Sequence, residues 1–162
     1  MKQKKLITTI IEYDSISELQ ESDRQLVEES KKITAHAYAP YSKFRVGAAL
    51  LLENGEIIKG TNQENAAYPS GLCAERVALF YANSKFPDSK VKAIAISAKS
   101  GNKFTKEPVT PCGSCRQVML ETEKRFKNPI KIILYGEEKI QIIEDASTLL
   151  PMSFSGKFLS GT

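Results

Sequence analysis

Two short segments hold every cysteine of the chain: Cys73-Ala74-Glu75-Arg76 and Pro111-Cys112-Gly113-Ser114-Cys115-Arg116-Gln117. Cys112 and Cys115 are three apart, so on the first turn of a helix both thiols face one side and can reach one ion. Cys73 offers a third thiolate. Zinc held by three protein ligands keeps a fourth tetrahedral position for water, which separates a catalytic site from a closed structural one. Three is also an odd number of cysteines, which argues against a disulfide framework and for thiols left free in a reducing compartment. The bland alternative, that these are buried or incidental thiols, is weakened because all three fall at helix starts beside an acid.

That acid is Glu75, two residues after Cys73 and within reach of the open zinc position without being a ligand. Hydrolytic attack on an amidine-like carbon needs a group that takes the water proton, protonates a ring nitrogen and assists the departing ammonia, and one carboxylate can do all three. In isolation Glu75 would read as an ordinary first-turn glutamate favoured by the helix dipole; beside the cysteine set it reads as a proton shuttle. Three thiolates on a dication leave a net charge of −1, which makes bound water a poor acid unless something offsets it. The two helix N-termini provide partial positive charge. Arg76 and Arg116 can donate charge-assisted hydrogen bonds near the sulfurs, or else are solvated surface arginines. His36, the one histidine, lies far from both motifs and reads as a helix-end packing group rather than a ligand.

Several elements must carry these residues. Apolar positions from Ser22 to Tyr38 recur at near-helical spacing, with Ser22 or Asp23 as the expected N-cap and an end before Pro40. Phe44–Leu52 and Ile57–Asn62 flank an Asn54-Gly55 turn as an antiparallel hairpin. Cys73–Asn83 and Cys112–Arg125 read as helices, and Val91–Ala98, Ile130–Tyr135 and Lys139–Ile143 as strands. Lys99–Thr110 reads as a polar loop, and Leu6–Tyr13 has the composition of a short strand. The order, with strand-helix-strand crossovers in its second half, predicts a mixed five-stranded sheet between helical layers, an α/β/α sandwich.

With 162 residues, 41% of them hydrophobic and 26% charged, the composition is that of one soluble globular domain. The net charge of +4 is spread along the chain and is too diffuse to argue for nucleic acid. No run approaches the ~20 apolar residues of a membrane span. The basic start at Lys2–Lys5 is followed by an apolar run that Thr8, Thr9 and Glu12 interrupt, without a small-residue cleavage site, so no signal peptide is read and a cytoplasmic protein is expected.

A cysteine or histidine, alanine and glutamate, followed much later by P-C-x-x-C, is the signature of zinc nucleobase deaminases. The chain resembles the cytidine deaminase family in its short, all-cysteine form, from about Ala37 to Phe154. The likeness runs through Ala39-Pro40-Tyr41-Ser42-Lys43-Phe44, Val46-Gly47-Ala48-Ala49-Leu50, Asn62-Gln63-Glu64-Asn65-Ala66, the two cysteine motifs and Leu149-Leu150-Pro151. The resemblance implies one zinc ion per subunit on Cys73, Cys112 and Cys115, with Glu75 as shuttle. It also implies that Asn62 and Glu64 bind the ribose hydroxyl and that Phe44 lines the pocket. An amide and a carboxylate together serve both the donor and the acceptor side of a sugar hydroxyl.

The implied activity is hydrolysis of cytidine and deoxycytidine to the uridine counterparts and ammonia, as in pyrimidine salvage, by a homotetramer whose neighbouring subunits complete each site. Phe154 stands where an aromatic residue covers the base, or else packs in the core or an interface; Tyr68 can likewise reach a neighbour. The rivals are a deaminase of another small aminopyrimidine such as blasticidin S, which Asn62-Gln63-Glu64-Asn65 argues against, and a zinc-stabilised binding module that has lost the reaction. The chain departs from the family pattern in an N-terminal extension over residues 1–20 ahead of a catalytic domain over 21–162, in Val77 where threonine is common, and in Ser155-Gly156-Lys157 where acidic residues are usual.

Overall fold

The computed structural model describes residues 1–159; residues 160–162, the end of the expected domain, lie outside them. Its helices are α1 (Glu21–Ile33), α2 (Ala74–Lys85) and α3 (Gly113–Phe126). Its strands are β1 (Ile11–Tyr13), β2 (Phe44–Leu52), β3 (Ile57–Thr61), β4 (Val91–Ser100), β5 (Lys103–Phe104), β6 (Lys131–Tyr135) and β7 (Ile140–Ile143). They form one mixed sheet in the order β1-β7-β6-β4-β2-β3, with β5 beside β4. The β4–β6 pair is parallel, as its crossover through α3 requires, and the hairpin partners β2 and β3 are antiparallel.

The central strands bury both faces, and their side chains alternate between two apolar layers. Leu50 and Leu52 of β2, Ile94 and Ile96 of β4, and Ile132 and Leu134 of β6 pack with Leu79 of α2 and Met119 of α3. The residues between them, Ala49, Ala93, Ala95 and Ile133, pack with Leu26 and Val27 of α1. This is the expected three-layer α/β/α arrangement. Each fully buried Leu or Ile contributes about 1.5–3 kcal/mol, so the sheet forms a rigid floor beneath the helix starts.

The sheet has seven strands rather than five. β5 folds back from β4 through Gly101, whose φ of 62° suits glycine, within the segment expected as a loop. β1 lies within residues 1–20 and adds antiparallel to β7, pairing Ile11 with Ile142 and Tyr13 with Ile140. Of Leu6–Tyr13, Ile11–Tyr13 pair, opposite Ile140–Ile142 of β7.

Helix α1 begins earlier than expected. Its N-cap is Gln20, which makes no side-chain cap bond, and neither Ser22 nor Asp23 takes that role. Asp23 is instead buried, and both its carboxylate oxygens accept from Lys131 Nζ on β6, at 3.0 and 2.9 Å. A buried acid needs a paired cation more than a helix start needs a cap. The helix ends at Ile33 in a short 3-10 turn, Thr34–His36, well before Pro40.

Gly60 sets the distance between α2 and β3. A Cβ there would stand 2.6 Å from both the Ala74 carbonyl oxygen and the Ala78 nitrogen, so the first turn of α2 rests directly on strand backbone.

Candidate metal centre and active site

Cys73 and Cys112 are the N-cap residues of α2 and α3. Neither side chain makes a capping hydrogen bond, so both sulfurs sit at the positive ends of helix dipoles and are not committed to their own helix backbone. Cys115 lies one turn into α3 and is fully buried in the apolar layer. The Cys73 and Cys112 sulfurs are 3.8 Å apart and those of Cys112 and Cys115 are 3.5 Å apart. All three fall within 4.8 Å of one another. These are free thiols, not a disulfide. Tetrahedral zinc at about 2.3 Å from each sulfur requires sulfurs about 3.8 Å apart, so the donor set and its spacing fit the ion.

Arg76 Nη2 donates to Cys73 Sγ at 3.9 Å. The Cys115 thiol, aided by Arg76, stabilises the Cys73 thiolate and lowers its pKa to about 5. The Cys115 thiol is pushed up, because its proton is held by the bond to Cys73 and because it is buried. Even without a metal ion, the thiolate form of Cys73 is favoured here. Arg116 turns elsewhere: Nε donates to the Pro111 carbonyl at 2.8 Å and Nη1 to the Leu149 carbonyl at 3.0 Å. His36 is exposed at the end of its 3-10 turn, outside the sulfur cluster.

A cavity of about 790 Å³ opens over this cluster. Phe44, Asn62, Glu64, Cys73, Glu75, Arg76 and Cys112 all contribute to its wall, so residues read from four separate segments converge on one space. Glu75 is 4% exposed, and burial together with the Cys73 charge raises its carboxyl above the ordinary range. Phe154 is not in this wall; it is exposed and stacks on Phe158 at 5.9 Å.

Asn62 and Glu64 are anchored by backbone. Asn62 Oδ1 accepts from the Val46 N–H at 2.8 Å and Nδ2 donates to the Phe44 carbonyl at 2.9 Å, which fixes the start of β2. Glu64 accepts from the N–H groups of Tyr41 and Ser42 and from the Ser42 hydroxyl. The Ser42 hydroxyl, with these amides, holds the Glu64 carboxyl below its usual range. Each side chain keeps capacity for a ligand: one further amide hydrogen on Asn62 and unused lone pairs on Glu64.

Ser42 and Tyr41, which edges onto Tyr68 at 5.9 Å, also line the cavity, and neither residue's type marks it for a role in the sequence. The signal was the tight loop they occupy, which turns at Lys43 with φ of 58°. Tyr68 stands exposed at the cavity rim.

Comparison with known proteins extends these observations. Residues 20–128 match the family described as the cytidine and deoxycytidylate deaminase zinc-binding region. The chain is 46% identical to a cytidine deaminase of Sporosarcina psychrophila over 137 residues, covering 84% of this chain and 93% of that one. It is 52% identical over 100 residues to a cytidine deaminase of Halalkalibacterium halodurans, covering 61% and 71%. Among solved structures, the cytidine deaminase of Burkholderia pseudomallei superposes with a TM-score of 0.71 at 37% identity, over 84% of this chain and all of the other.

Proposed function

Because this chain belongs to the cytidine and deoxycytidylate deaminase family, we propose that Cys73, Cys112 and Cys115 hold its zinc ion and that Glu75 moves the protons of the reaction. The protein is an enzyme that hydrolyses the exocyclic amine of cytidine and deoxycytidine, releasing ammonia, and it uses one zinc ion. When bound, zinc supplies the Lewis acidity that makes water a nucleophile near neutral pH.

The residues divide the remaining work. Glu75 accepts a proton from the attacking water and passes it to the ring nitrogen beside the attacked carbon, then takes the remaining proton of the added hydroxyl and gives it to the amine, so that the C–N bond breaks, ammonia leaves and a carbonyl forms. A carboxyl raised by burial is a stronger base than an ordinary glutamate and still a competent acid. Arg76 offsets the thiolate charge. Phe44 offers an apolar wall, and Asn62 and Glu64, held in place by backbone, take the sugar hydroxyl with their remaining donor and acceptor capacity. The observation that carries this reading is a cluster of three sulfurs within 4.8 Å of one another, two of which, Cys73 and Cys112, share a cavity wall with the buried Glu75 carboxyl.

Tyr41, Tyr68, Phe80, Tyr81 and Phe154 are large apolar side chains left exposed. Such a surface supports a homotetramer in which Phe154 and Tyr68 reach a neighbouring site. Residues 1–20 are an addition to a catalytic domain beginning at 21, and the free thiols suit a cytoplasmic setting. Among the described residues no helix is long and apolar enough to cross a membrane.

Ultraviolet absorbance of cytidine and of deoxycytidine incubated with the zinc-loaded protein tests the reaction, and sedimentation tests the assembly. Conversion of the cytosine chromophore to uracil is expected from a species of four chains. Absence of conversion, or a monomer with full activity, overturns the corresponding part.

A further inference from the structure

The three sulfurs are not held equally. Cys115 is fully buried in the apolar layer and Cys73 packs against it, whereas Cys112 is exposed and its position depends on the loop that precedes α3. We propose that Arg116 is the positioning residue for Cys112, fastening that loop to the segment that follows β7.

Arg116 Nε holds the carbonyl of Pro111, the peptide immediately before Cys112, while Nη1 of the same planar group holds the carbonyl of Leu149. A guanidinium is rigid and cannot lose its charge, so it keeps the two carbonyls at a fixed separation. Leu149 ends a 3-10 turn, Ala146–Leu149, that is itself secured to α3: Glu123 Oε1 accepts from the Ala146 N–H at 2.9 Å and Oε2 from the Ser147 N–H at 3.0 Å. By contrast, the adjacent Gln117 Nε2 donates to the Phe154 carbonyl at 3.2 Å, a bond that involves neither Pro111 nor Leu149 and so serves as the control. The Cys112 loop is thus braced against a segment far away in sequence but rigidly tied to its own helix. Loss of the brace frees the ligand that packing does not hold, and residues that orient metal ligands typically govern 10–100-fold of metal affinity.

This rests on the reading of the three cysteines as the zinc ligands. The test is the zinc dissociation constant of wild type, Arg116→Ala, Arg116→Lys and Gln117→Ala, by competition with a chromophoric chelator, with the thermal midpoint of each metal-free protein alongside. Arg116→Ala is expected to weaken zinc about 10–100-fold, Arg116→Lys to recover part of that loss through a single donor, and Gln117→Ala to bind zinc as wild type does. If Arg116→Ala lowers the metal-free midpoint but leaves the dissociation constant unchanged, the residue is a structural brace only and the proposal fails. Should Arg116→Ala not fold, a zinc affinity of Arg116→Lys equal to that of wild type or below that of Gln117→Ala overturns or supports it respectively. If the wild type binds no zinc, it is the ligand assignment that fails.

Discussion

The sulfurs of Cys73 and Cys112 stand 3.8 Å apart although 39 positions of sequence separate them, and each is the N-cap residue of its own helix. Two helix starts therefore meet at one point over the sheet. That convergence brings positive dipole ends and thiolates together, and it makes the site depend on how each helix is seated.

The three cysteines are unequally buried. Cys112→Ala should lose zinc yet leave the metal-free protein within ~0.5 kcal/mol of wild type, because its side chain is exposed. Cys115→Ala should lose zinc and also weaken the metal-free fold by about 1 kcal/mol, since it removes a fully buried group. Metal content and urea unfolding of the chelated proteins measure both. Full zinc in Cys112→Ala would remove it from the site.

Seating of α2 gives a second prediction. Gly60→Ala forces a Cβ against the backbone of Ala74 and Ala78, so helix or strand must shift. Overpacking of this kind costs about 1–3 kcal/mol. Because Ala74 adjoins Cys73, zinc binding should weaken with stability. A Gly60→Ala protein with the wild-type thermal midpoint and zinc affinity would show that α2 has room to move.

Much of the fold is legible in the sequence, because the short apolar runs of β2, β4 and β6 and the glycine and proline punctuation are local signals. The cysteine motifs point to a metal site for the same reason, and the fold brings their three sulfurs within 4.8 Å of one another. What could not be read depends on partners distant in sequence. Asp23 has the composition of a cap but goes to Lys131, 108 positions away. Arg116 could equally have faced the sulfurs, and only the folded position of Leu149 decides otherwise. β1 is three residues whose partner strand lies at the far end of the chain.

Glu123 gives a prediction in pH. Its carboxylate accepts from the N–H groups of Ile130, Ala146 and Ser147, while burial, with the Asp145 charge adding, pushes its pKa from the ordinary 4.5 up to about 7. Between those values the native state holds a proton that the unfolded chain has released. The contribution of Glu123 to stability is therefore complete below pH 4.5 and declines as pH rises through 7. Glu123→Gln, which cannot ionise, should flatten the thermal midpoint over that window; an unchanged profile would show that another group titrates. Glu123→Ala should cost about 1–3 kcal/mol for each buried donor left without a partner.

Removal of residues 1–13 tests what β1 does for the sheet edge. β1 covers the β7 edge, and Thr8 Oγ1 donates to the Thr148 carbonyl at 2.7 Å. An uncovered edge strand is a template for pairing with other chains. The truncated protein should keep its zinc, lose about 1 kcal/mol as three edge residues unpair, and aggregate faster on heating, as light scattering would record. Unchanged aggregation would assign residues 1–13 some role other than covering the edge.

The central claim, that Glu75 carries the protons without holding the metal, is tested most directly by Glu75→Gln, assayed for zinc content and cytidine turnover in the same preparation. The side chain keeps its size in its buried position and loses only its ability to take up and release a proton. Zinc content equal to wild type with turnover reduced about 10²–10⁴-fold is the predicted result. Full zinc content with turnover within a few-fold of wild type would contradict the account.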